Sequence, residues 1–160
     1  MSIERVRDYF RPLGREQDIL EFPVSSATVE LAAQAVGVIP ARIAKTLSFL
    51  VEDGCVLVVA AGDAKIDNSK YKKLFHTKAK MLTAEQVSAF TGHAVGGVCP
   101  FANPEGVRTY LDESLKRFDT VYPAAGSSNS AIELTCAELE EYSHCLGWID
   151  VCKAWQEAEI

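Results

Sequence analysis

The chain has 160 residues, a formal net charge of −6 and an apolar content of 48%. This length is enough for one well-packed hydrophobic core and short for two, so we expect a single domain over residues 1–160. No apolar run is long enough to form a transmembrane helix or a signal segment, which predicts a cytoplasmic protein without a membrane partner. The net negative charge argues against indiscriminate nucleic-acid binding, and we expect no DNA partner.

Cysteine and histidine usage argues against a metal centre. The five cysteines are an odd number without C-x-x-C spacing, and the three histidines are scattered along the chain. In a cytoplasmic setting such cysteines are reduced thiols, mostly buried as small apolar groups. We therefore expect neither a metal nor a cofactor.

The first 45 residues predict three helices and one strand, from the spacing of their apolar residues. Ser25 and Ser26 are candidate N-caps of the second helix, and Gly37 ends it. The elements are a helix over 3–12, a strand over 19–24, a helix over 27–36, and a short helix that Pro40 opens and that carries Arg42 and Lys45.

A β-hairpin follows, with arms over 47–51 and 55–61 and an Asp-Gly turn between them. Its second arm is apolar on both faces, which predicts a central strand covered on both sides. The next helix, over 66–75, has a lysine-rich exterior. Its predicted inner face holds Ile66, Tyr71, Leu74 and Phe75.

Two capping boxes, at Thr83–Gln86 and Thr135–Glu138, begin helices that end at Gly92 and near Ser143. The remaining predicted elements are strands near 107–111, 119–123, 131–134 and 148–151 and a short helix near 112–117. Strands and helices are mixed irregularly. This order predicts a mixed α/β (α+β-like) fold, with a mixed, mostly antiparallel sheet and surrounding helices.

The segment Gly92–Phe101 combines adjacent glycines with Cys99-Pro100. Glycine lets the backbone approach a ligand closely and proline stiffens the turn, so this segment could present N–H groups to an oxyanion or a phosphate. The alternative is a tight surface turn. Cys99, with His93 six residues earlier, fits a thiol nucleophile, but nothing in the sequence places a base beside it.

Two lysine features and one polar turn are further candidates. Lys45 stands directly before the apolar hairpin, where a lysine can orient a phosphate, although a surface lysine with a buried stem is the alternative. Six lysines lie between residues 65 and 80 with only Asp67 as an acidic neighbour, which fits phosphate contacts or a solvated face. The turn Gly126–Ser130 can donate hydrogen bonds or merely connect two strands.

Three segments in chain order resemble a known family: Arg42–Leu47, Gly92–Phe101 and Ala131–Leu134. The chain resembles the YbaK/prolyl-tRNA synthetase-associated domains, which are free-standing relatives of the editing domain inserted in bacterial prolyl-tRNA synthetases. The resemblance covers nearly the whole chain. It implies a mixed α/β domain that hydrolyses the ester of a mischarged aminoacyl-tRNA, with the tRNA acceptor end and prolyl-tRNA synthetase as partners.

The resemblance also implies roles for individual residues. Lys45 matches the essential lysine of the family, expected near the phosphate and ribose of the terminal adenosine, and Gly96 and Gly97 match a loop whose backbone is expected to hold the ester carbonyl or a water. The family uses no covalent nucleophile, which argues against catalysis by Cys99. Substrate contacts are expected from Thr46, Val98, Cys99, Pro100, Ser127 and Asn129, and acceptor-stem contacts from Lys70, Lys72 and Lys73.

The chain departs from the family at two positions. Members that remove cysteine from tRNA(Pro) carry a serine and an aspartate that align with Ala124 and Ala131, and neither alanine side chain can form a hydrogen bond. The amino acid removed is therefore open, with small residues such as alanine as the default. The leading hypothesis is a trans-editing deacylase for tRNA(Pro) carrying a small amino acid. The alternatives are a non-catalytic module that binds tRNA or a synthetase and a thiol-dependent hydrolase.

Overall fold

The computed structural model describes residues 2–52, 54–93 and 97–155. These residues form helices and short strands, and none of the described helices is long and apolar enough to cross a membrane. The helices are α1 (Ser2–Phe10), α2 (Val29–Val36), α3 (Asn68–Phe75), α4 (Ala84–Thr91) and α5 (Cys136–Ser143). The strands are β1 (Ile19–Glu21), β2 (Ile43–Val51), β3 (Gly54–Ala61), β4 (Lys65–Ile66), β5 (Arg108–Asp112), β6 (Thr120–Pro123), β7 (Ser130–Ile132), β8 (Leu134–Thr135), β9 (Trp148–Ile149) and β10 (Cys152–Lys153).

A mixed sheet with strand order β8-β6-β2-β3-β5-β9 forms the centre of the fold. The β2–β3 hairpin is antiparallel along its whole length, from Ala44 opposite Ala61 to Val51 opposite Gly54. Parallel pairings extend the sheet on both sides of the hairpin, with β6 beside β2 and β5 beside β3. Every residue of β3 after Gly54 is buried, so the predicted central, covered strand and the mixed fold class are confirmed.

Contacts between aromatic side chains pack α1 and α3 against the rest of the fold. Phe10 of α1 packs edge-on against Phe101 and against Tyr142 of α5, with ring centroids 4.9 and 5.6 Å apart. On α3, the fully buried ring of Tyr71 lies 4.9 Å from that of Phe49 on β2. Because aromatic rings bury large apolar areas, these contacts hold α1 and α3 in place.

The sequence signals at the helix ends are confirmed in most cases. Both capping boxes form, and α2 and α4 end at Gly37 and Gly92 with φ of 86° and 73°. The start of α2 was predicted wrongly. Thr28, rather than Ser25 or Ser26, caps the helix, because its hydroxyl accepts the Leu31 N–H at 3.1 Å.

Two predictions near the site need correction because tertiary pairing overrides local pattern. Lys45 lies on β2 and not on the short helix, which is a single 3-10 turn over Pro40–Arg42. The strand predicted over 131–134 divides at Glu133: β7 pairs with β1, and β8 pairs with β6.

Two further boundaries are shorter than predicted. β1 ends at Glu21, before Pro23, which has no N–H to donate to a neighbouring strand. The inner face of α3 is narrower than predicted, since Leu74 is 45% exposed whereas Tyr71 is fully buried.

The hydroxyl of Tyr71 provides a test of the core. It is buried without a hydrogen-bond partner among the described residues, and burial raises the pKa of Tyr71 to about 12. Tyr71→Phe removes this unsatisfied group and keeps the ring contacts, so we expect the free energy of unfolding in urea to rise by about 1 kcal/mol.

Tyr9→Phe is the matched control. The hydroxyl of Tyr9 donates to the carbonyl of Tyr142 at 2.7 Å, so this variant should lose stability. A loss of stability in Tyr71→Phe as large as that in Tyr9→Phe would contradict the buried, unpaired hydroxyl.

Candidate functional site

A cleft of about 350 Å³ opens along one edge of β2. β2 pairs with β6 only at Ile43 and Ala44, and the segment before α4 rejoins it at Ser48, whose carbonyl accepts the Leu82 N–H. Between these points, no described strand pairs with this edge of β2. Alternate residues of a strand direct their main-chain N–H and C=O groups to the same edge. Because the carbonyl of Ser48 lies on this open edge, the N–H and C=O of Thr46, two residues earlier, also face the cleft.

The walls of the cleft are mostly apolar, with a few polar groups among them, as is typical of small-molecule sites. Strand β2 contributes residues 43–48, and the other walls come from α2 with its preceding loop, from the start of α4 and from the β6–β7 region. These wall residues are Ser26, Ala27, Thr28, Val29, Ala32, Met81, Leu82, Val87, Val98, Tyr122, Ala124, Ser130 and Ala131. The structure thus brings Lys45, Thr46 and Val98 together in one cleft.

Lys45 brings a positive charge into this cleft. Its ammonium group donates to the carbonyls of Gly62, at 3.4 Å, and Ala64. Two of its three N–H groups are thereby used, which leaves one donor for a ligand. Burial lowers the pKa of Lys45, and Cys152 and Asp63 oppose this shift. The two carbonyl contacts therefore give the ammonium group a fixed position in an apolar surrounding.

Gly62 allows this arrangement because it has no side chain. A Cβ at Gly62 would lie 2.1 Å from the carbonyl oxygen of Pro40 and 2.7 Å from Cγ1 of Val29. Real Cβ contacts are never this short, so any other residue would push the turn after β3 away from the Pro40 turn. The position of the carbonyl that holds Lys45 depends on this close approach.

The hydroxyl of Thr46 is buried in the structure and has no hydrogen-bond partner among the described residues. Buried polar groups are nearly always paired, so an unpaired one beside a cleft indicates a place where a ligand or a water binds. The hydroxyl of Ser130, which also lines the cleft, is instead hydrogen-bonded to the hydroxyl of Ser127 at 2.7 Å.

The segment Gly92–Phe101, which we call the glycine loop, reaches the cleft through Val98. At Gly97 it packs on the polar turn over residues 126–130. Gly97 is buried, and a Cβ there would lie 3.0 Å from the carbonyl group of Gly126 and from the Cα of Ser127. Backbone atoms cannot yield as a flexible side chain can, so Gly97 allows the two loops to touch. Gly96, the other predicted catalytic glycine, lies outside the described residues.

Arg5 of α1 forms hydrogen bonds to the residues on both sides of the glycine loop. Its guanidinium donates to the carbonyl of Thr91 at 2.7 Å and to that of Ala102 at 3.1 Å. Gly92 lies against it, since a Cβ at this position would be 2.3 Å from Nη1 of Arg5. The loop is therefore anchored at its base by a residue far away in sequence.

Cys99 and Pro100 are buried and do not line the cleft. Burial raises the pKa of Cys99 to about 12, and its Sγ lies 3.6 Å from Nε2 of His93. That nitrogen also lies 3.1 Å from the carbonyl of Phe101 and 3.5 Å from Nη2 of Arg5, and burial lowers the pKa of His93, which makes the imidazole a weaker base. The Cys99–His93 pair therefore does not form a nucleophile and base.

Ser127 and Asn129 hold the polar turn rather than lining the cleft. Ser127 donates to Oδ1 of Asn129 at 2.9 Å, and the amide of Asn129 donates to the carbonyl of Phe22 at 3.0 Å.

The three lysines predicted to contact the acceptor stem lie on α3, outside the cleft. Lys70 binds Asp150 at 3.0 Å and the carbonyl of Cys152 at 3.1 Å. Lys72 and Lys73 are exposed on α3, away from the cleft walls.

Sequence reasoning missed several wall residues. Ser48 follows Thr46 at the two-residue spacing of a strand, and this spacing was an available signal. Met81 and Tyr122 reach the cleft only through tertiary packing, so no local pattern could reveal them. Ala124 and Ala131, which mark the departure from the family pattern, form an isolated antiparallel β-bridge with each other in the cleft wall.

No group of histidine, cysteine or acidic side chains suited to a metal occurs within the described ranges.

Comparisons with known proteins find relatives of this chain in sequence and in structure. The model of the aminoacyl-tRNA editing domain family matches residues 24–142. The chain is 56% identical over 157 residues to the uncharacterized protein YwhH of Bacillus subtilis (strain 168), a match that covers 98% of this chain and 100% of YwhH. It is 30% identical over 109 residues to EbsC of Enterococcus faecalis (strain ATCC 700802 / V583), provisionally named a Cys-tRNA(Pro)/Cys-tRNA(Cys) deacylase, covering 67% of this chain and 66% of EbsC.

A solved structure is also similar. This crystal structure, provisionally identified as that of a trans-editing enzyme for prolyl tRNA synthetase, is 30% identical and superposes with a TM-score of 0.85. The superposition covers 96% of this chain and 98% of that one.

The burial of Cys99 predicts a test by chemical modification. With its pKa raised to about 12, fewer than about one in a thousand Cys99 thiols ionise at about pH 8. We expect iodoacetamide to leave Cys99 unmodified in the native protein while it modifies the partly exposed Cys145, as measured by mass spectrometry of peptides. In urea both should react at similar rates. Native modification of Cys99 at the rate of Cys145 would contradict its burial.

Proposed function

This chain belongs to the aminoacyl-tRNA editing domain family, and on that basis we propose that it is a trans-editing deacylase that hydrolyses the ester of a mischarged tRNA. The observation that carries the proposal is the ammonium group of Lys45, fixed at an apolar cleft with one N–H free. A cation in such surroundings attracts an anionic oxygen more strongly than it would in water. Translation editing would take place in the cytoplasm.

The reaction needs an attacking water and donors for the charge that develops. The water oxygen forms a bond to the ester carbonyl carbon, the bond from that carbon to the ribose oxygen breaks, and a proton from the water ends on the ribose oxygen. Between these events the carbonyl oxygen carries negative charge. Main-chain N–H groups can bind this oxyanion without reorganisation, which is the largest single contribution to catalysis in many hydrolases.

We assign this role to the backbone of the glycine loop at Gly96 and Gly97. The close packing of Gly97 on Gly126 and Ser127 supports the assignment because it fixes the loop, and Val98 carries the loop into the cleft. The N–H of Thr46 faces the same cleft from β2 and is available as a further donor. Cys99 and Pro100 would then contribute through the backbone, since their side chains are buried elsewhere.

Lys45 would bind the tRNA end rather than the reacting carbonyl. Its remaining N–H suits a phosphate or ribose oxygen of the terminal adenosine, and its two carbonyl contacts hold it in place before the substrate arrives. The polar turn with Ser127 and Asn129 would support the opposite wall by keeping Ser130 in position.

The walls favour a small, apolar amino acid on the tRNA. Ala124 and Ala131 face the cleft side by side and offer no hydrogen bond to a polar side chain. The unpaired hydroxyl of Thr46 is a polar group that remains available to a bound ligand. The provisional names of EbsC and of the protein in the similar crystal structure support tRNA(Pro) as the carrier and prolyl-tRNA synthetase as a partner in editing.

The substrate is tested by a panel of charged tRNAs. We expect the protein to release alanine from tRNA(Pro) faster than cysteine or serine, because the paired alanines cannot bind a thiol or a hydroxyl. Radiolabelled amino acid released over time measures the rate, with tRNA(Ala) and tRNA(Cys) charged with their own amino acids as controls. Tight binding of these tRNAs without release above background would instead favour a non-catalytic tRNA-binding module.

The role of Lys45 is tested by substitution. Lys45→Ala should lower kcat/KM for deacylation by about 10²-fold, because a tRNA end that is no longer held in place presents its ester out of line with the donors of the site. Cys99→Ser is the matched control at the glycine loop and should keep most of the activity. Thermal unfolding of both variants shows whether they are folded. Full activity in a folded Lys45→Ala protein would contradict the proposed mechanism.

A further inference from the structure

A second groove, of about 760 Å³, begins beside the cleft where residues 75–80 pass the end of the β2–β3 hairpin. Its charged walls are mostly basic. The groove is lined by Leu50, Val51, Glu52, Phe75, His76, Thr77, Lys78, Lys80 and Arg108, and we call it the basic groove.

The charge of the basic groove is available for binding. Lys78 and Lys80 are exposed, and neither of their ammonium groups makes a hydrogen bond or ion pair with a described residue. Between them, Ala79 packs against the core, so the two lysines point outward from the same side of an extended segment. Lys70 on α3 differs, because Asp150 already neutralises it at 3.0 Å.

The groove and the cleft are neighbours along one short segment. The carbonyl of Lys80 accepts the N–H of Leu50 at 2.8 Å, and Met81 forms a bridge with Phe49, both on β2. Met81 lines the cleft and Lys80 lines the basic groove, as expected for consecutive side chains of an extended chain. The cleft and the basic groove are therefore adjacent, on the two sides of the chain at residues 80 and 81.

We propose that the basic groove binds the sugar–phosphate backbone of the tRNA acceptor end, next to the terminal adenosine in the cleft. This inference rests on the proposed function. A local basic surface can attract phosphates even on a chain of net charge −6, and lysines bind them as point charges without reading the sequence. The groove would therefore position the RNA.

The test compares two double variants. In Lys78→Ala/Lys80→Ala the groove loses two charges, and in the control Lys72→Ala/Lys73→Ala the exposed face of α3 loses the same number. The affinity of each protein for uncharged tRNA(Pro) is measured by fluorescence anisotropy over a range of salt concentrations. We expect the slope of log K against log salt to become shallower by about 2 in the groove variant, and to stay as in the wild type in the control.

A kinetic comparison separates this proposal from the proposed function. On mischarged tRNA the groove variant should show a lower kcat/KM than wild type. On aminoacylated adenosine 5′-monophosphate, which holds only the terminal nucleotide and so cannot reach the groove, the two proteins should agree. An unchanged salt slope in the groove variant, an equal change in the control, or wild-type binding without salt dependence would each overturn the proposal. If wild type shows no deacylation, the proposed function fails and the binding measurement still decides the role of the groove.

Discussion

The pairing of β2 with β3 is the constraint on which the rest of the site depends. Because the hairpin is continuous from Ala44 to Val51, its register fixes which groups of β2 face outward at the open edge. A slip of one residue would turn the main-chain groups of Thr46 toward β3 and move the ammonium of Lys45 to the opposite face. The turn after β3 then holds that ammonium through the carbonyls of Gly62 and Ala64.

The local parts of the fold were readable from the sequence, because their signals lie within a few residues. The hairpin, both capping boxes and the glycine ends of α2 and α4 follow from such signals. Local signals did not predict that β2 begins at Ile43 or that the predicted strand over 131–134 divides at Glu133, because each depends on pairing with a strand distant in the chain. Local pattern carries no information about such partners.

The candidate site shows the same division between local and distant information. Lys45 and Thr46 were identifiable because they precede a recognisable hairpin, and the resemblance to a family gave them a role. The contact of Gly97 with Gly126, the bridge between Ala124 and Ala131 and the convergence of Met81 on the cleft arise only when separate segments pack. The lysines of residues 65–80 formed one cluster in sequence, but the fold distributes them between an ion pair, an exposed helix face and a groove.

The hydrogen bonds of Arg5 limit how far this domain can be truncated at its N-terminus. The family match begins at residue 24, after the whole of α1. Yet Arg5 is a donor for the carbonyls of Thr91 and Ala102, and Phe10 covers Phe101. A fragment trimmed to the shared region would leave these carbonyls without that donor and an aromatic face open to water, which destabilises the glycine loop. In this chain the portion that the family model matches is therefore shorter than the portion that the fold needs, and the N-terminal helix is an integral part of the domain.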